Sequence, residues 1–218
     1  MTCLPGYACR DMNEKRKKEI AMKLGYVTLH GRGLIDLLLA DVVGRLEAHG
    51  VALAGTVQTN IDRDDRPRCD MDLRLLPDGP TVRISVDRGA EARGCRLDAG
   101  VLEQAVLWVE GSLDKAEFLV VNKFGKQEAE GKGLAGVIAD ALERGLPVLV
   151  GVNGLNLPSF LEFAGGMATE LVADAETILD WCLASLSGAD FQDRQHHTEM
   201  NEQPQAGVDH NAIALPLG

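Results

Sequence analysis

Between Leu24 and Gln58 the sequence reads LGYVTLHGRGLIDLLLADVVGRLEAHGVALAGTVQ, and few arrangements accommodate it. Leu24–Leu29 is a short apolar run of strand type, broken by His30-Gly31-Arg32-Gly33. Leu34, Leu37, Leu38, Val42 and Leu46 then recur at helical spacing until Gly50, which ends the helix. Val51–Gln58 is a second apolar run. A strand, a glycine turn, a helix and another strand in so short a span predict a parallel crossover.

The pattern continues downstream. Met71–Leu76 and Thr81–Val86 flank Pro77-Asp78-Gly79-Pro80, the signature of an antiparallel hairpin, expected at a sheet edge. Asp98 reads as the N-cap of a helix reaching about Leu113, with Val101, Leu102, Ala105, Val106 and Val109 on one face. Phe118–Val121 and Val148–Val152 read as buried parallel strands, each a continuous apolar run. Helices are predicted from Leu134 to Glu143, over Pro158–Phe163 and over Ala175–Leu186, with a last short strand at Thr169–Val172. Thr59–Asp70 and Arg88–Arg96 are polar and read as exposed loops. The predicted class is three-layer α/β, a mostly parallel sheet with an antiparallel hairpin at its edge. The expected organisation is a flexible arm over residues 1–23, one α/β domain over 24–186 and a disordered polar tail over 187–218.

The formal net charge of −11 argues against a nucleic-acid binder, which presents a basic face. No run approaches the roughly eighteen apolar residues of a membrane span. The basic patch Lys15–Lys18 has no apolar segment behind it of the kind a secretion signal needs. The expected location is the cytoplasm. The chain has 5 cysteines, Cys3, Cys9, Cys69, Cys95 and Cys182, an odd number at irregular spacing that suits free thiols.

Three predicted strand ends carry polar residues: His30–Gly33, Asn122–Lys126 and Asn153–Asn156. In a parallel sheet all three lie at one edge, where α/β proteins bind ligands. The glycine turn offers backbone N–H groups to an anion, or is simply a turn that needs glycine for its shape. A working phosphate loop also needs a Lys and a Ser or Thr after the last glycine, and Leu34 and Ile35 stand there instead. FLVVNKFGKQEAEGKG, Phe118–Gly133, ends a strand in Asn122-Lys123 with no carboxylate to hold a metal ion. A guanine-reading Asn-Lys-x-Asp motif fails at Gly125. Glu128 and Glu130 are candidate bases or a solvated face. Arg68-Cys69-Asp70 and Arg93-Gly94-Cys95-Arg96 suit an oxyanion through paired hydrogen bonds, and Cys69 and Cys95 with Asp70 or His30 are weak candidates for a soft metal. His196, His197 and His210, in the tail, read as incidental.

GRGxxDxLL, GxVQTN, CDMDLRLLPDGP, RGCRLD, VNKFGKQEAEGKG and GVNxLNL together resemble a bacterial family catalogued as domain of unknown function 2478, over about Leu24 to Cys182. That family is similar to the P-loop nucleoside-triphosphatases of the THEP type, whose loop reads GxGKTT and whose neighbouring strand ends in Asp-Glu-Ile-Gly-Lys-Met-Glu. The resemblance implies a P-loop NTPase-like fold. It sets Gly31, Gly33, Leu34, Ile35 and Asp36 on the loop, and Asn122, Lys123, Phe124, Gly125, Lys126, Gln127 and Glu128 on the strand end. The shaping glycines remain, while the phosphate-gripping Lys, the metal-binding hydroxyl and both strand-end acids are absent. It also implies a link to molybdenum.

The expected function is binding of a small anionic ligand, a nucleotide or an oxyanion such as molybdate, by a degenerate hydrolytic site. Gly31, Arg32 and Gly33 supply backbone donors and charge, and Lys123, Lys126, Arg93 and Arg96 neutralise the anion. Asn122, Asn153 and Asn156 discriminate its shape. Two alternatives stand beside it. One is a slow nucleoside-triphosphatase with a displaced metal site on Glu128, Asp70 or Asp36, with Glu128 catalytic. The other is a regulatory protein with a vestigial site, assembling with itself or with a partner in molybdenum metabolism.

Overall fold

A computed structural model describes residues 23–64, 69–86 and 97–186. The expected arm (save Lys23), the tail and the cluster holding Arg93, Cys95 and Arg96 lie outside the described residues. The described elements all fall in one compact unit that ends at Leu186.

The first strand, β1 (Leu24–Thr28), runs through the glycine turn into α1 (Leu34–Ala48), which buries Ile35, Leu39, Val42, Val43 and Leu46. Gly50, at φ +72°, turns the chain out of the helix while Val51 N–H bonds back to Leu46 C=O at 3.1 Å. Next come β2 (Leu53–Ile61), β3 (Asp70–Leu76), β4 (Thr81–Arg83) and α2 (Ala99–Ser112). Asp98 caps α2, accepting from Gly100 N at 3.0 Å and Val101 N at 3.1 Å. Then follow β5 (Phe118–Phe124), α3 (Lys126–Ala129), α4 (Ala135–Glu143), β6 (Val148–Val152), α5 (Leu157–Ala164), β7 (Ala168–Glu170) and α6 (Ala175–Leu186).

The seven strands form one sheet in the order β4-β3-β2-β5-β6-β1-β7. β2, β5, β6, β1 and β7 are parallel, and the antiparallel hairpin β3–β4 sits at the edge, as expected. The crossover from β1 to β2 is parallel but skips two strands, because β5 and β6 pair between them. Adjacent residues of β1 show the two faces. Tyr26 packs its ring on Phe160 of α5, centroids 5.0 Å apart. A side-chain atom on Gly25 would meet the Trp181 ring of α6 at 2.7 Å. Among the described residues no helix is long and apolar enough to cross a membrane.

Several boundaries differ from expectation. β2 begins at Leu53 and does not stop at Gln58 but continues to Ile61, and Asp70 opens β3, so the polar loop between them is shorter than the stretch Thr59–Asp70. Pairing with β3 along the whole length explains this: Asn60 pairs with Met71 and Ile61 with Asp70. β4 stops at Arg83, with Ser85 bridging to Leu97 instead. Asn122 and Lys123 belong to β5, and α3 stands where a plain loop was expected.

Candidate functional site

Because β1, β2, β5 and β6 are parallel, their carboxyl ends share one edge, which carries the glycine turn, Gln58 to Asn60, Asn122-Lys123 and Asn153–Asn156. The centre of that edge is Asp36, in the first turn of α1 and only 2% exposed. Its carboxylate accepts from Asn122 Nδ2 at 2.7 Å and from Asn60 Nδ2, and Lys123 Nζ lies 3.4 Å away. Gln58 Nε2 donates to Asn60 Oδ1 at 2.9 Å. A buried charge persists only where it is paired and hydrogen-bonded, and these donors do both. The helix N-terminus adds a favourable field.

Consecutive strand residues ordinarily point to opposite faces, yet Asn122 and Lys123 both reach Asp36. The register of β5 against β6 shifts between Val121 and Phe124, and such an irregularity re-aims side chains. Gly151, on the neighbouring strand, makes room: a Cβ there would lie 2.3 Å from the Asn122 carbonyl and 2.8 Å from Leu39. Asn122 Oδ1 is buried and has no hydrogen-bond partner among the described residues.

The glycine turn is shaped by Gly31 at φ +124° and Gly33 at φ +76°, conformations that side chains disfavour. Leu34 folds onto Gly31, where the resemblance expected a lysine. Arg32 reaches across to Cys69, Nη2 to Sγ 3.1 Å. Arg32, Gly33, Asp36, Gln58, Asn60, Cys69 and Lys123 line an open cavity of about 370 Å³.

The remaining candidates go elsewhere. Glu128 is 6% exposed and is neither a free base nor a solvated face. Its two oxygens accept from Gly125 N at 2.9 Å and Leu134 N at 3.1 Å, clamping α3 to the start of α4. Asp70 is buried against Arg83 at 2.9 Å and Arg63 at 3.8 Å. The three acids of the displaced metal site therefore serve three separate local structures. Asn153 Oδ1 accepts from both Asn156 N, 3.0 Å, and Asn156 Nδ2, 3.1 Å, so this pair shapes its own turn before α5. Lys126 is exposed and pairs with Glu130 at 3.6 Å. His30 is exposed beside Gly154.

Gln58 and Asn60 were missed as site residues. Their signal was available: Thr56, Gln58 and Asn60 recur with period two, the spacing of one strand face.

A family model described as "Protein of unknown function (DUF2478)" matches residues 24–181. A curated relative, "Molybdenum import ATP-binding protein ModC 2" of Bradyrhizobium diazoefficiens, is 34% identical over 148 residues, 67% of this chain and 16% of that protein. The chain thus spans about a sixth of that relative's length. A solved structure, "Solution Structure of a Human Cancer-Related Nucleoside Triphosphatase", aligns at 15% identity and TM-score 0.44, over 83% of this chain and 98% of that one, a likeness too slight to argue from. The sequence blocks and the model match agree, and the chain belongs to the DUF2478 family.

Proposed function

We propose that this protein binds a nucleotide or a small oxyanion at the strand edge and hydrolyses it poorly or not at all. The observation that carries the reading is the cavity in which Arg32, Lys123 and the Gly33 turn face one space over Asp36. Arg32 supplies a fixed planar donor set for an oxyanion, and Lys123 a mobile point charge. Asp36 offsets Lys123 and holds it in place, so the site is positive by little more than Arg32. That favours a moderate, reversible binder. Poor hydrolysis follows from positions: the acid sits on the helix and the amide on the strand end. The strand end therefore offers Asn122, which cannot hold a metal ion as a carboxylate does. The relative named for molybdenum import and ATP binding supports including molybdate and ATP among the ligands. Lys126, Asn153 and Asn156 contribute at most at the margin, being spent on Glu130 and on each other.

The test is calorimetric titration of the full chain with ATP, GTP, phosphate, molybdate and tungstate, repeated on Lys123→Met. Heat with at least one ligand, weakened by about tenfold in the variant, is the expected result for a lost charge-assisted contact. No heat with any ligand on folded protein sinks the reading. Magnesium-dependent phosphate release at an ordinary enzymatic rate would replace it with the triphosphatase alternative.

A further inference from the structure

A second, more apolar chamber of about 250 Å³ adjoins the anion cavity, and both are lined by Gln58 and Lys123. We infer that this chamber receives the ring of a nucleobase, a reading that rests on the proposed anion site and narrows its ligand from any oxyanion to a nucleotide. Leu73, Leu97, Leu102 and Leu134 form its apolar walls, Thr56, Gln58 and Asn122 contribute polar groups, and polar and charged residues of α3 also line it. Apolar walls with a few placed polar groups are the make-up of a small-molecule pocket, and the volume suits a ring system and little more.

The hydrogen-bond directions follow from Asp36. An ionised carboxylate only accepts, so the Asn60 atom that meets it is the amide nitrogen, and Asn60 presents its oxygen to Gln58. Gln58 therefore spends one N–H on Asn60. Its carbonyl oxygen and second N–H have no partner among the described residues, on a side chain only 5% exposed. Those groups are free to pair with a ligand, and Asn122 Oδ1, in the lining of the same chamber, is buried with no partner among the described residues, which costs free energy until something pairs with it. The complement is a donor and an acceptor side by side on a flat, otherwise apolar body. The edge of a nucleobase has that pattern, and phosphate, molybdate and tungstate do not. Lys123, lining both spaces, gives the attached phosphates a cation.

The experiment titrates the full chain with adenosine, guanosine, cytidine and uridine, with their triphosphates, and with inorganic triphosphate, by calorimetry. Two variants accompany the wild type: Leu102→Trp, which fills the chamber, and Gln58→Met, which keeps length and removes the amide. At least one nucleoside triphosphate is expected to bind about tenfold more tightly than inorganic triphosphate, the value of a paired amide edge. Both variants lose that advantage, and in Leu102→Trp inorganic triphosphate binding stays within about twofold. Equal affinity for nucleotide and inorganic triphosphate, or an advantage that survives both variants, overturns the chamber's role and leaves anion binding standing. No heat with any compound overturns both. Should Leu102→Trp melt early, Gln58→Met decides.

Discussion

A carboxylate that is 2% exposed persists at position 36 because two amides and an ammonium group reach it. Removing any one donor leaves the others with a less satisfied acceptor, so these residues act as a unit. Asn122→Asp tests this most directly, since it puts a second carboxylate where an amide now donates at 2.7 Å. Two carboxylates at that distance cannot both ionise cheaply, so the folded state holds a shared proton and the pair's upper pKa rises above the ordinary carboxylate range. A folded-state pKa raised in this way contributes stability at low pH and loses it as pH climbs through the raised value. The variant is expected to be less stable than wild type by about 2–4 kcal/mol at pH 8 and by much less at pH 5. Denaturant melts at both pH values measure this, and an equal deficit at both rules out the shared proton. Elsewhere burial alone acts on Cys182, raising its thiol pKa to about 12, consistent with an inert core thiol.

At the scale of elements, close approach between α1 and the sheet positions the network. Gly151→Ala drives a methyl against the Asn122 carbonyl, Leu39 and Ile35 at once, none of which is the free end of a flexible surface chain. A loss of about 3 kcal/mol is expected from such overpacking, with Asn122 displaced from Asp36. Chemical denaturation together with the ligand titration separates the stability cost from the site's response. The start of α6 makes a second prediction. Asp174 accepts from Thr177 N at 2.9 Å and Thr177 Oγ1 at 2.8 Å, and those bonds hold its carboxyl below the usual range. A depressed folded-state pKa gives stability that is present above the unfolded value and lost as pH falls through the folded one. Asp174→Asn therefore lowers the melting temperature at neutral pH, and its gap from wild type narrows below about pH 4, where the unfolded aspartate gains its proton. A gap that is constant down to pH 2 would show that the carboxylate's charge is not what the helix start uses.

For the whole molecule, the site exists only when the ends of β1, β2 and β5 meet. The cavity groups on Arg32, Gln58, Asn60 and Lys123 come from three separate stretches of sequence, which the unfolded chain does not hold together. Ligand binding must then raise thermal stability by mass action, about 2.7 kcal/mol at a free concentration one hundred times Kd. A thermal-shift series against ATP, phosphate and molybdate should rise logarithmically with ligand. A ligand that gives calorimetric heat and no shift binds outside this edge.

Periodicity along the chain was enough to lay out β1, α1, the hairpin, α2, α4, β6 and α6, because each is set by local spacing of apolar residues and by local punctuation such as Gly50, Asp98 and Pro77-Asp78-Gly79-Pro80. The parallel sheet followed from their alternation, and with it the edge where a site belongs. Strand order was a different matter, since the pairing of β2 with β5 and the insertion of β6 beside β1 depend on contacts remote in sequence. So did the fate of each charged residue. Glu128, Asp70 and Asp36 read alike as acids in polar surroundings, and only packing made one a clamp between α3 and α4, one an arginine partner and one the centre of the site. Asn122-Lys123 was singled out from the sequence as a strand end carrying amide and charge where an acid was expected. That it faces an acid supplied by α1 was decided by the tertiary structure, because a hydrogen bond between residues 86 positions apart leaves no periodic trace in the chain.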